Sequence, residues 1–431
     1  MKPVFYLLAS VALLCSTPSF ANVLPINPAS VEAEAWTILD SQSGQVIAEH
    51  NSHVQRAPAS LTKMMVAYIA LKEIQSGKLK LNDILTVSPV INQVMSDESQ
   101  MHLKVGEQVS VDTLLAGLIV MSANDAALVL AERISGSVPL FVARMNSEAK
   151  ALGMQDSNFA NPPGITMPQH YSSAADFALL GQALVNQTPH YLHYSKMPDF
   201  RHQGLYHAAT NLLLKTDPTV DGLKTGFTKA AGYNLALSAV RDTHRVDVPT
   251  RRLIVVVLGT TSIQKRAEVA HQLMNVAYTY TQNERIVAKG QHLADIPVKK
   301  SHYAWFQVKG IQPEVVTTSL YPLTTPIDLN TYQANQQRLQ VKDAQGLMQT
   351  IEPLTTTQTQ VQAKLKQPVL SAPLNQKMPL VEIKVYQNQK LLRSFEVSNQ
   401  VTLEKETMFK QWMAWCHDLW HRIERKGKIT L

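Results

Sequence analysis

The sequence contains few cysteines and no stripe of basic residues, the features of disulfide-rich and nucleic-acid-binding proteins. Only two cysteines occur in 431 residues, Cys15 and Cys416, which excludes a disulfide framework and a thiolate metal site. Basic stripes and basic-aromatic clusters are missing, and a net charge of +7 is small for this length, so no nucleic-acid partner is expected. With 45% hydrophobic and 17% charged residues, the chain is predicted to form two or three globular domains.

The N-terminal segment lacks an apolar run long enough to span a membrane but has the features of a secretion signal. Lys2 precedes the apolar run 4–14, and Ser19-Phe20-Ala21 forms a small-x-small cleavage site. A retained spanning helix would need about 18 to 20 apolar residues, and a lipoprotein signal would have a small residue in place of Leu14. We therefore expect residues 1–21 to be a cleaved signal peptide.

Hydrophobic spacing from residue 22 to residue 283 predicts an α+β domain in which helices pack on an antiparallel sheet. The short loop between the strands predicted at 220–228 and 232–240 favours antiparallel neighbours. The other predicted elements are a strand pair within 33–50, helices at 60–74, 111–134 with a break near Ser122, 138–152 and 263–279, and a strand at 253–260.

Beyond residue 283 the pattern changes to short β-rich runs separated by Pro, Thr and Gln. This predicts a small all-β domain over residues 284–401. Its predicted strands lie at 303–308, 314–320, 338–342, 380–386 and 391–397.

The C-terminal segment 402–431 predicts an amphipathic helix. It carries three of the five tryptophans, Trp412, Trp415 and Trp420. Its apolar residues, including Trp412 and Trp420, fall within one sector of about 120°, with basic residues opposite. Such a helix suits the surface of an anionic membrane; the alternative is a helix that docks on the second domain or on a partner. His417 and His421 have the spacing of two metal ligands, but no third ligand accompanies them, so no metal site is predicted.

Three short motifs follow one another along the first domain: Ser60-Leu-Thr-Lys63, Ser122-Ala-Asn124 and Lys224-Thr-Gly226. Ser-x-x-Lys alone is weak evidence because it recurs at Ser147 and at Ser262, where a position inside a helix and a helix N-cap account for it. The combination and its order carry the functional prediction.

The first motif predicts a nucleophile beside a base. Ser60 and Lys63 are three residues apart at the start of a helix, so their side chains lie on one face. A serine hydroxyl is a poor nucleophile until a base takes its proton, and a desolvated lysine can do so. The free N–H groups of a helix start also favour a developing oxyanion.

The second and third motifs predict substrate contacts. Ser122 lies in a break between helical stretches, where irregular backbone can present side chains, and Asn124 can orient a substrate amide. Lys224 and Thr225 on an edge strand can hold an anionic group, while Gly226 lets another backbone approach closely.

Together these motifs resemble the low-molecular-weight penicillin-binding proteins that are D-alanyl-D-alanine carboxypeptidases, within a larger group that includes the serine β-lactamases. The similarity extends over about residues 30 to 280, and the rest fits in outline, since that family typically adds a β-rich domain and a C-terminal amphipathic anchor. The matching segments are Pro58-Ala-Ser-Leu-Thr-Lys-Met64, Met121-Ser-Ala-Asn-Asp-Ala-Ala127, Ala151-Leu-Gly-Met154, Asn158-Phe-Ala-Asn161, His170-Tyr-Ser172, Val220-Asp-Gly-Leu-Lys-Thr-Gly-Phe227 and Ala231-Gly-Tyr-Asn234.

The resemblance implies a penicillin-binding fold and a two-step acyl transfer on peptidoglycan stem peptides that end in D-Ala-D-Ala. It further implies acylation by β-lactam antibiotics, a role in cell-wall maturation and cell shape, no cofactor, and a location at the periplasmic face of the bacterial inner membrane. The implied catalytic residues are Ser60, Lys63 and Ser122. The implied substrate-binding residues are Asn124, Lys224, Thr225, Gly226 and Phe227, with the backbone N–H groups of Ser60 and Phe227 as the oxyanion hole.

Two departures from the family pattern and two alternative functions accompany this hypothesis. Some relatives have His where this chain has Phe227, and relatives often have Arg where this chain has Thr261. A β-lactamase would need a deacylating Glu between the second and third motifs, where no convincing Glu-x-x-x-Asn occurs. A non-catalytic peptidoglycan-binding protein would not need a nucleophile with a base.

Overall fold

The computed structural model describes residues 22–301, 303–322, 326–332, 339–342, 347–355 and 357–403. The predicted signal peptide, residues 1–21, and nearly all of the predicted terminal helix, including His417 and His421, lie outside the described residues.

The first part of the chain is built on a five-stranded antiparallel sheet with helices on both faces. The strands in this part of the chain, inside and outside that sheet, are β1 (Ala35–Asp40), β2 (Val46–His50), β3 (Ile84–Thr86), β4 (Gln108–Ser110), β5 (Asp199–His202), β6 (Leu205–Ala208), β7 (Val220–Thr228), β8 (Gly232–Asp242) and β9 (Thr250–Thr260). Its helices are α1 (Lys63–Gln75), α2 (Val111–Ala116), α3 (Asn124–Ser135), α4 (Val138–Ala151), α5 (Ala174–Gln187), α6 (Tyr191–Ser195) and α7 (Ile263–Tyr280). The five-stranded sheet has the order β2-β1-β9-β8-β7, while β3 pairs with β4 and β5 with β6.

Strand β9 explains why this sheet is covered on both faces. Its residues are apolar without a break from Leu253 to Leu258, and successive side chains of a strand point to opposite faces. One set, Leu253, Val255 and Val257, joins the hydrophobic cluster that contains α7, and the other set, Ile254, Val256 and Leu258, joins the cluster that contains α1, α3 and α5.

The structure confirms the predicted α+β class and most of the predicted elements, and it adds some that the sequence did not predict. The helix predicted at 60–74 begins as a 3-10 turn, Ala59–Thr62, that continues into α1. The helix predicted at 111–134 is broken as expected, with the π-helical turn Gly117–Met121 between α2 and α3. Helices α5 and α6 and the hairpin of β5 and β6 were not predicted.

Beyond α7 the structure is rich in β-strands, as predicted for this region. The strands are β10 (Thr281–Val287), β11 (His292–Lys299), β12 (Trp305–Lys309), β13 (Glu314–Ser319), β14 (Leu339–Lys342), β15 (Met348–Ile351), β16 (Thr359–Leu365), β17 (Leu370–Ser371), β18 (Pro379–Gln387) and β19 (Lys390–Ser398). A separate hydrophobic cluster joins β11, β18 and β19. Tyr321 and Leu329, however, pack with α7 in a cluster of the first part, so the domain boundary at residue 283 stays a prediction.

Among the described residues, no single helix is long and apolar enough to cross a membrane; α3 and α4 together reach the required length and composition, with an 85° bend between them.

Candidate active site

Ser60 and Lys63 lie side by side at the start of α1. The 3-10 turn Ala59–Thr62 carries Ser60, and the first residue of α1 is Lys63. The Lys63 Nζ atom lies 3.1 Å from the Ser60 Oγ atom, within hydrogen-bond distance. Ser60 is partly exposed, whereas Lys63 is fully buried. The predicted nucleophile is therefore open to a substrate while its neighbouring amine is withdrawn from water.

The surroundings of Lys63 favour its neutral form. Burial lowers the pKa of Lys63 well below its usual value, and the nearby charge of Lys224 lowers it further, against the opposing effect of the Glu98 and Asp125 carboxylates. The amine also donates a hydrogen bond to the Pro163 carbonyl at 2.6 Å, which fixes its position. A neutral, fixed amine within reach of a hydroxyl is what a general base requires.

Ser122 has an unusual backbone conformation directly after the π-helical turn. Its φ of 66° and ψ of 36° lie in the left-handed region, which is costly for a residue with a side chain and is typical of functional sites. Its hydroxyl oxygen is buried and has no hydrogen-bond partner among the described residues. Within that part of the chain, no group competes for this hydroxyl.

The residues after Ser122 fix a loop that the sequence did not single out. The Asn124 side-chain amide donates to Glu98 Oε2 at 2.6 Å, and its backbone N–H donates to the Ser99 carbonyl at 2.7 Å. Asp125 accepts hydrogen bonds from the backbone N–H groups of Met101 at 3.0 Å and Leu103 at 3.1 Å. The first turn of α3 thus holds residues 98–103 at four points, and Glu98 comes to lie near Lys63.

The third motif lies on β7, the edge strand of the five-stranded sheet, and packs against the Ser60 turn. Lys224 is only 3% exposed, and its amine donates to the Thr225 carbonyl at 3.0 Å. Burial, together with the nearby charge of Arg266, lowers the pKa of Lys224 to about 7. The hydroxyl of Thr225 is hydrogen-bonded to that of Thr210.

Gly226 is the point at which β7 touches the Ser60 turn. A Cβ atom added to Gly226 would lie 3.1 Å from the backbone N of Ser60 and 3.2 Å from that of Leu61, tighter than ordinary contacts. Only glycine therefore permits this approach without a shift of the backbone. Next to it, the half-exposed Phe227 stacks on Tyr233, with the two ring centres 4.3 Å apart.

Asn234 joins the Ser60 turn to the centre of the sheet. It is fully buried on β8, opposite Gly226, and its Oδ1 accepts from the Gly259 N–H at 2.9 Å. Its amide donates to the carbonyls of Ala57 and Pro58, at 3.4 Å each. The chain just before Ser60 is thereby held to β8 and β9.

His170 supports the loop that holds the Lys63 amine. Its Nδ1 accepts from the Ala160 N–H at 2.8 Å, so Nε2 carries the proton that is donated to Thr62 Oγ1, 2.9 Å away. Burial, with the nearby Lys63 charge, lowers the pKa of His170 to about 4, which keeps the ring neutral at physiological pH. Through these bonds the segment around Pro163 is tied to the Ser60 turn.

Comparison with known proteins now identifies the family. A family model of D-alanyl-D-alanine carboxypeptidases matches residues 22–262, more than half of this chain. The chain belongs to this family. The resemblance to low-molecular-weight penicillin-binding proteins inferred from the motifs is confirmed.

Relatives of this family are similar in sequence over the first part of the chain. D-alanyl-D-alanine carboxypeptidase DacD of Salmonella typhimurium is 41% identical over 271 residues, which cover 62% of this chain and 66% of that protein. The matched region is thus just under two thirds of this relative's length.

Solved structures of penicillin-binding proteins share the fold. Penicillin binding protein 5 from Haemophilus influenzae superposes with a TM-score of 0.72 at 26% identity, over 88% of this chain and all of that one. Penicillin-binding protein D2 from Listeria monocytogenes, in its cefotaxime-bound form, superposes with a TM-score of 0.50 at 30% identity, over 57% of this chain and 96% of that one. These likenesses confirm the predicted α+β penicillin-binding fold.

One residue of this carboxypeptidase-family site escaped the sequence analysis. Relatives often have Arg where this chain has Thr261, and the structure places Arg266, from the first turns of α7, beside the third motif. Its guanidinium donates to the Gly226 carbonyl at 3.3 Å and to the Thr210 carbonyl at 3.2 Å, and burial lowers its pKa to about 10. The available signal was its spacing: Arg266 shares the buried face of α7 with Val269, Ala270 and Leu273.

Among the described residues, no group of three His, Cys, Asp or Glu side chains has an arrangement that could hold a metal ion.

Proposed function

We propose that the protein is a serine D-alanyl-D-alanine carboxypeptidase that removes the terminal D-alanine from peptidoglycan stem peptides. The observation that carries this proposal is the pairing of the partly exposed Ser60 with the fully buried Lys63, whose Nζ lies 3.1 Å from Ser60 Oγ. Membership of the family supports it.

The first step is acylation. Lys63 takes the hydroxyl proton while Ser60 Oγ bonds to the carbonyl carbon of the penultimate D-alanine. The resulting oxyanion accepts hydrogen bonds from the backbone N–H groups of Ser60 and Phe227. The proton then passes through Ser122 to the amide nitrogen, the C–N bond breaks, and D-alanine leaves as a free amine. The unpartnered hydroxyl of Ser122 is available for this relay.

The second step is hydrolysis of the ester on Ser60. A water molecule loses a proton to Lys63 and attacks the acyl carbon, and the proton returns to Ser60 Oγ as the ester bond breaks. The products are the shortened peptide, which ends in a new carboxylate, and the free enzyme.

Substrate binding uses the second and third motifs. Lys224 and Thr225 bind the terminal carboxylate, and Arg266 adds positive charge beside them. Asn124 orients an amide of the acyl part of the peptide. Gly226 permits close contact between β7 and the Ser60 turn, and this contact brings the carboxylate-binding residues of β7 to the nucleophile.

Penicillins are proposed to acylate the same serine, because their ring amide and carboxylate resemble the D-Ala-D-Ala end. The Listeria monocytogenes relative has been solved in cefotaxime-bound and ampicillin-bound forms, which supports this inference.

Kinetics on two matched peptides and on a penicillin test the proposed activity. We expect rapid release of D-alanine from diacetyl-Lys-D-Ala-D-Ala, no release of alanine from the matched peptide that ends in L-Ala, and a long-lived penicilloyl adduct. Fast turnover of penicillin would instead indicate a β-lactamase. Absence of both the adduct and D-alanine release would indicate a non-catalytic peptidoglycan-binding protein.

We further propose that the protein is exported, that residues 1–21 are its signal peptide, and that residues 402–431 anchor it to the periplasmic face of the inner membrane. There it would act in cell-wall maturation and cell shape. The sequence pattern alone supports the anchor: aromatic residues on one side, including Trp412 and Trp420, and basic residues on the other.

Removal of residues 402–431 tests the anchor. The full mature chain is expected to sediment with anionic vesicles, whereas the truncated chain stays in the supernatant and hydrolyses peptides at the same rate. A matched full-length variant with Trp412, Trp415 and Trp420 replaced by Ser should also lose sedimentation. If the truncated protein still sediments, the anchor lies elsewhere.

A further inference from the structure

Glu98 lies near Lys63 and has no role in the reaction described above. Its carboxylate is half-buried, and one oxygen accepts the 2.6 Å hydrogen bond from Asn124. Among the described residues, no Lys, Arg or His forms an ion pair with it within 4.0 Å. The hydrogen bonds of Asn124 and Asp125 to the adjoining backbone hold its loop in place.

Next to Glu98 is a small pocket of about 140 Å³. This is well below the roughly 300–1,000 Å³ of pockets that enclose a whole small molecule, so it has the size for one side chain. Apolar residues, among them Val94, Leu128, Val138 and Pro163, line it together with the polar Gln93 and Asn161. The Pro163 carbonyl also binds the Lys63 amine, so the pocket shares a wall with the catalytic pair.

The charges around the nucleophile differ between the two sides of the site. On the β7 side lie the buried cations Lys224 and Arg266, which suit a carboxylate. On the α3 side lies Glu98, which lines the pocket together with several apolar residues. A ligand that carries its carboxylate on one side and an aliphatic chain with a terminal cation on the other would match both.

We propose that Glu98 and this pocket form a subsite for an aliphatic side chain that ends in an ammonium group, carried by the acyl part of the substrate. The chain's methylene groups pack against Val94, Leu128 and Val138, and the ammonium group binds the Glu98 carboxylate. This inference rests on the proposed carboxypeptidase function, because it assumes that the substrate's acyl part lies on the Asn124 side.

Two peptides that differ only in one charge test the subsite. They are Nα-acetyl-Lys-D-Ala-D-Ala, with a free side-chain ammonium group, and its Nα,Nε-diacetyl counterpart. We expect kcat/KM of the wild-type protein to be about tenfold higher for the free ammonium, the size of one hydrogen bond to a charged group. The ratio of the two kcat/KM values is the readout, because any effect of Glu98 on Lys63 acts on both peptides alike.

Glu98→Gln and Asp97→Asn form a matched pair of variants. Glu98→Gln keeps an oxygen for the Asn124 amide but removes the charge, and we expect it to bring the ratio to about one. Asp97→Asn removes a charge from the adjacent, exposed residue, and we expect the wild-type ratio.

Two results would overturn the subsite. One is a wild-type ratio of the two kcat/KM values equal to one. The other is a ratio that stays at the wild-type value in Glu98→Gln. If both kcat/KM values then fall by the same factor, Glu98 acts through Lys63 or Asn124 alone. These results leave the proposed function intact as long as the wild-type protein releases D-alanine. If it releases none from either peptide and forms no penicilloyl adduct, the proposed function fails, and the subsite with it.

Discussion

Replacing Ser60 with alanine is expected to abolish labelling by fluorescent penicillin and to reduce peptide hydrolysis by on the order of 10⁶-fold, the scale seen when a serine nucleophile is removed. The physical reason is that no other hydroxyl is bonded to the Lys63 amine in the described structure. Gel fluorescence after a penicillin pulse and D-alanine release measure the two effects. The fold should persist, because Ser60 is partly exposed and Ala fits the same turn.

Ser147→Ala is the matched control. Ser147 and Lys150 repeat the Ser-x-x-Lys pattern, but both are exposed on α4. This variant should be labelled like the wild-type protein. Persistent labelling of Ser60→Ala, with an unchanged thermal unfolding temperature, would place the nucleophile elsewhere.

Replacing Lys63 is expected to have the second-largest effect. Lys63→Met keeps the length of the side chain but removes the amine, and Lys63→Arg keeps a cation that does not lose its proton in proteins. If Lys63 acts as a base, both variants should acylate with penicillin about 10² to 10⁴ times more slowly, the usual contribution of a general base. Stopped-flow acylation kinetics provide the measurement, and Lys150→Met provides the control with wild-type rates.

The Lys63→Arg variant distinguishes a base at position 63 from a cation that acts by its charge. If the positive charge of Lys63 were what mattered, Lys63→Arg would acylate at close to the wild-type rate, which would contradict the role as base. Because Lys63→Met also removes the hydrogen bond to the Pro163 carbonyl, its thermal unfolding temperature is measured alongside its acylation rate.

The pH dependence of the wild-type protein follows from the same two lysines. The acylation rate should rise with pH as Lys63 loses its proton, over a range well below the usual lysine pKa, because burial lowers that pKa. Lys224 must keep its proton to bind a carboxylate, so kcat/KM for the peptide should fall as pH rises past about 7. In Lys63→Met the rising limb should disappear.

The elements with strong patterns were predictable from the sequence. The uninterrupted apolar run of β9 and the helical apolar spacing of α1 and α7 predict a strand and two helices, and the structure contains them. Helix α5 carried a readable signal that went unused: Ser173 caps it by accepting a hydrogen bond from the Asp176 N–H. The hairpin of β5 and β6 has only four residues in each strand, too few for a periodic signal.

The part of the site formed by residues close together in the sequence was predictable. Ser60 and Lys63 are one helical turn apart, so their contact follows from local geometry. The positions of Glu98, His170 and Arg266 depend on long-range packing, since each meets the site through a loop or helix distant in sequence. Arg266 reaches the third motif from α7, a contact that the sequence of the motif itself does not reveal.

The measurement that most directly tests the account is the location of the penicilloyl group. Mature protein is pulsed with penicillin, its intact mass is measured, and proteolytic peptides are sequenced by mass spectrometry. We predict one added penicilloyl group per chain, on Ser60. A modification on another serine, or none at all, would contradict the central claim that Ser60 is the nucleophile activated by Lys63.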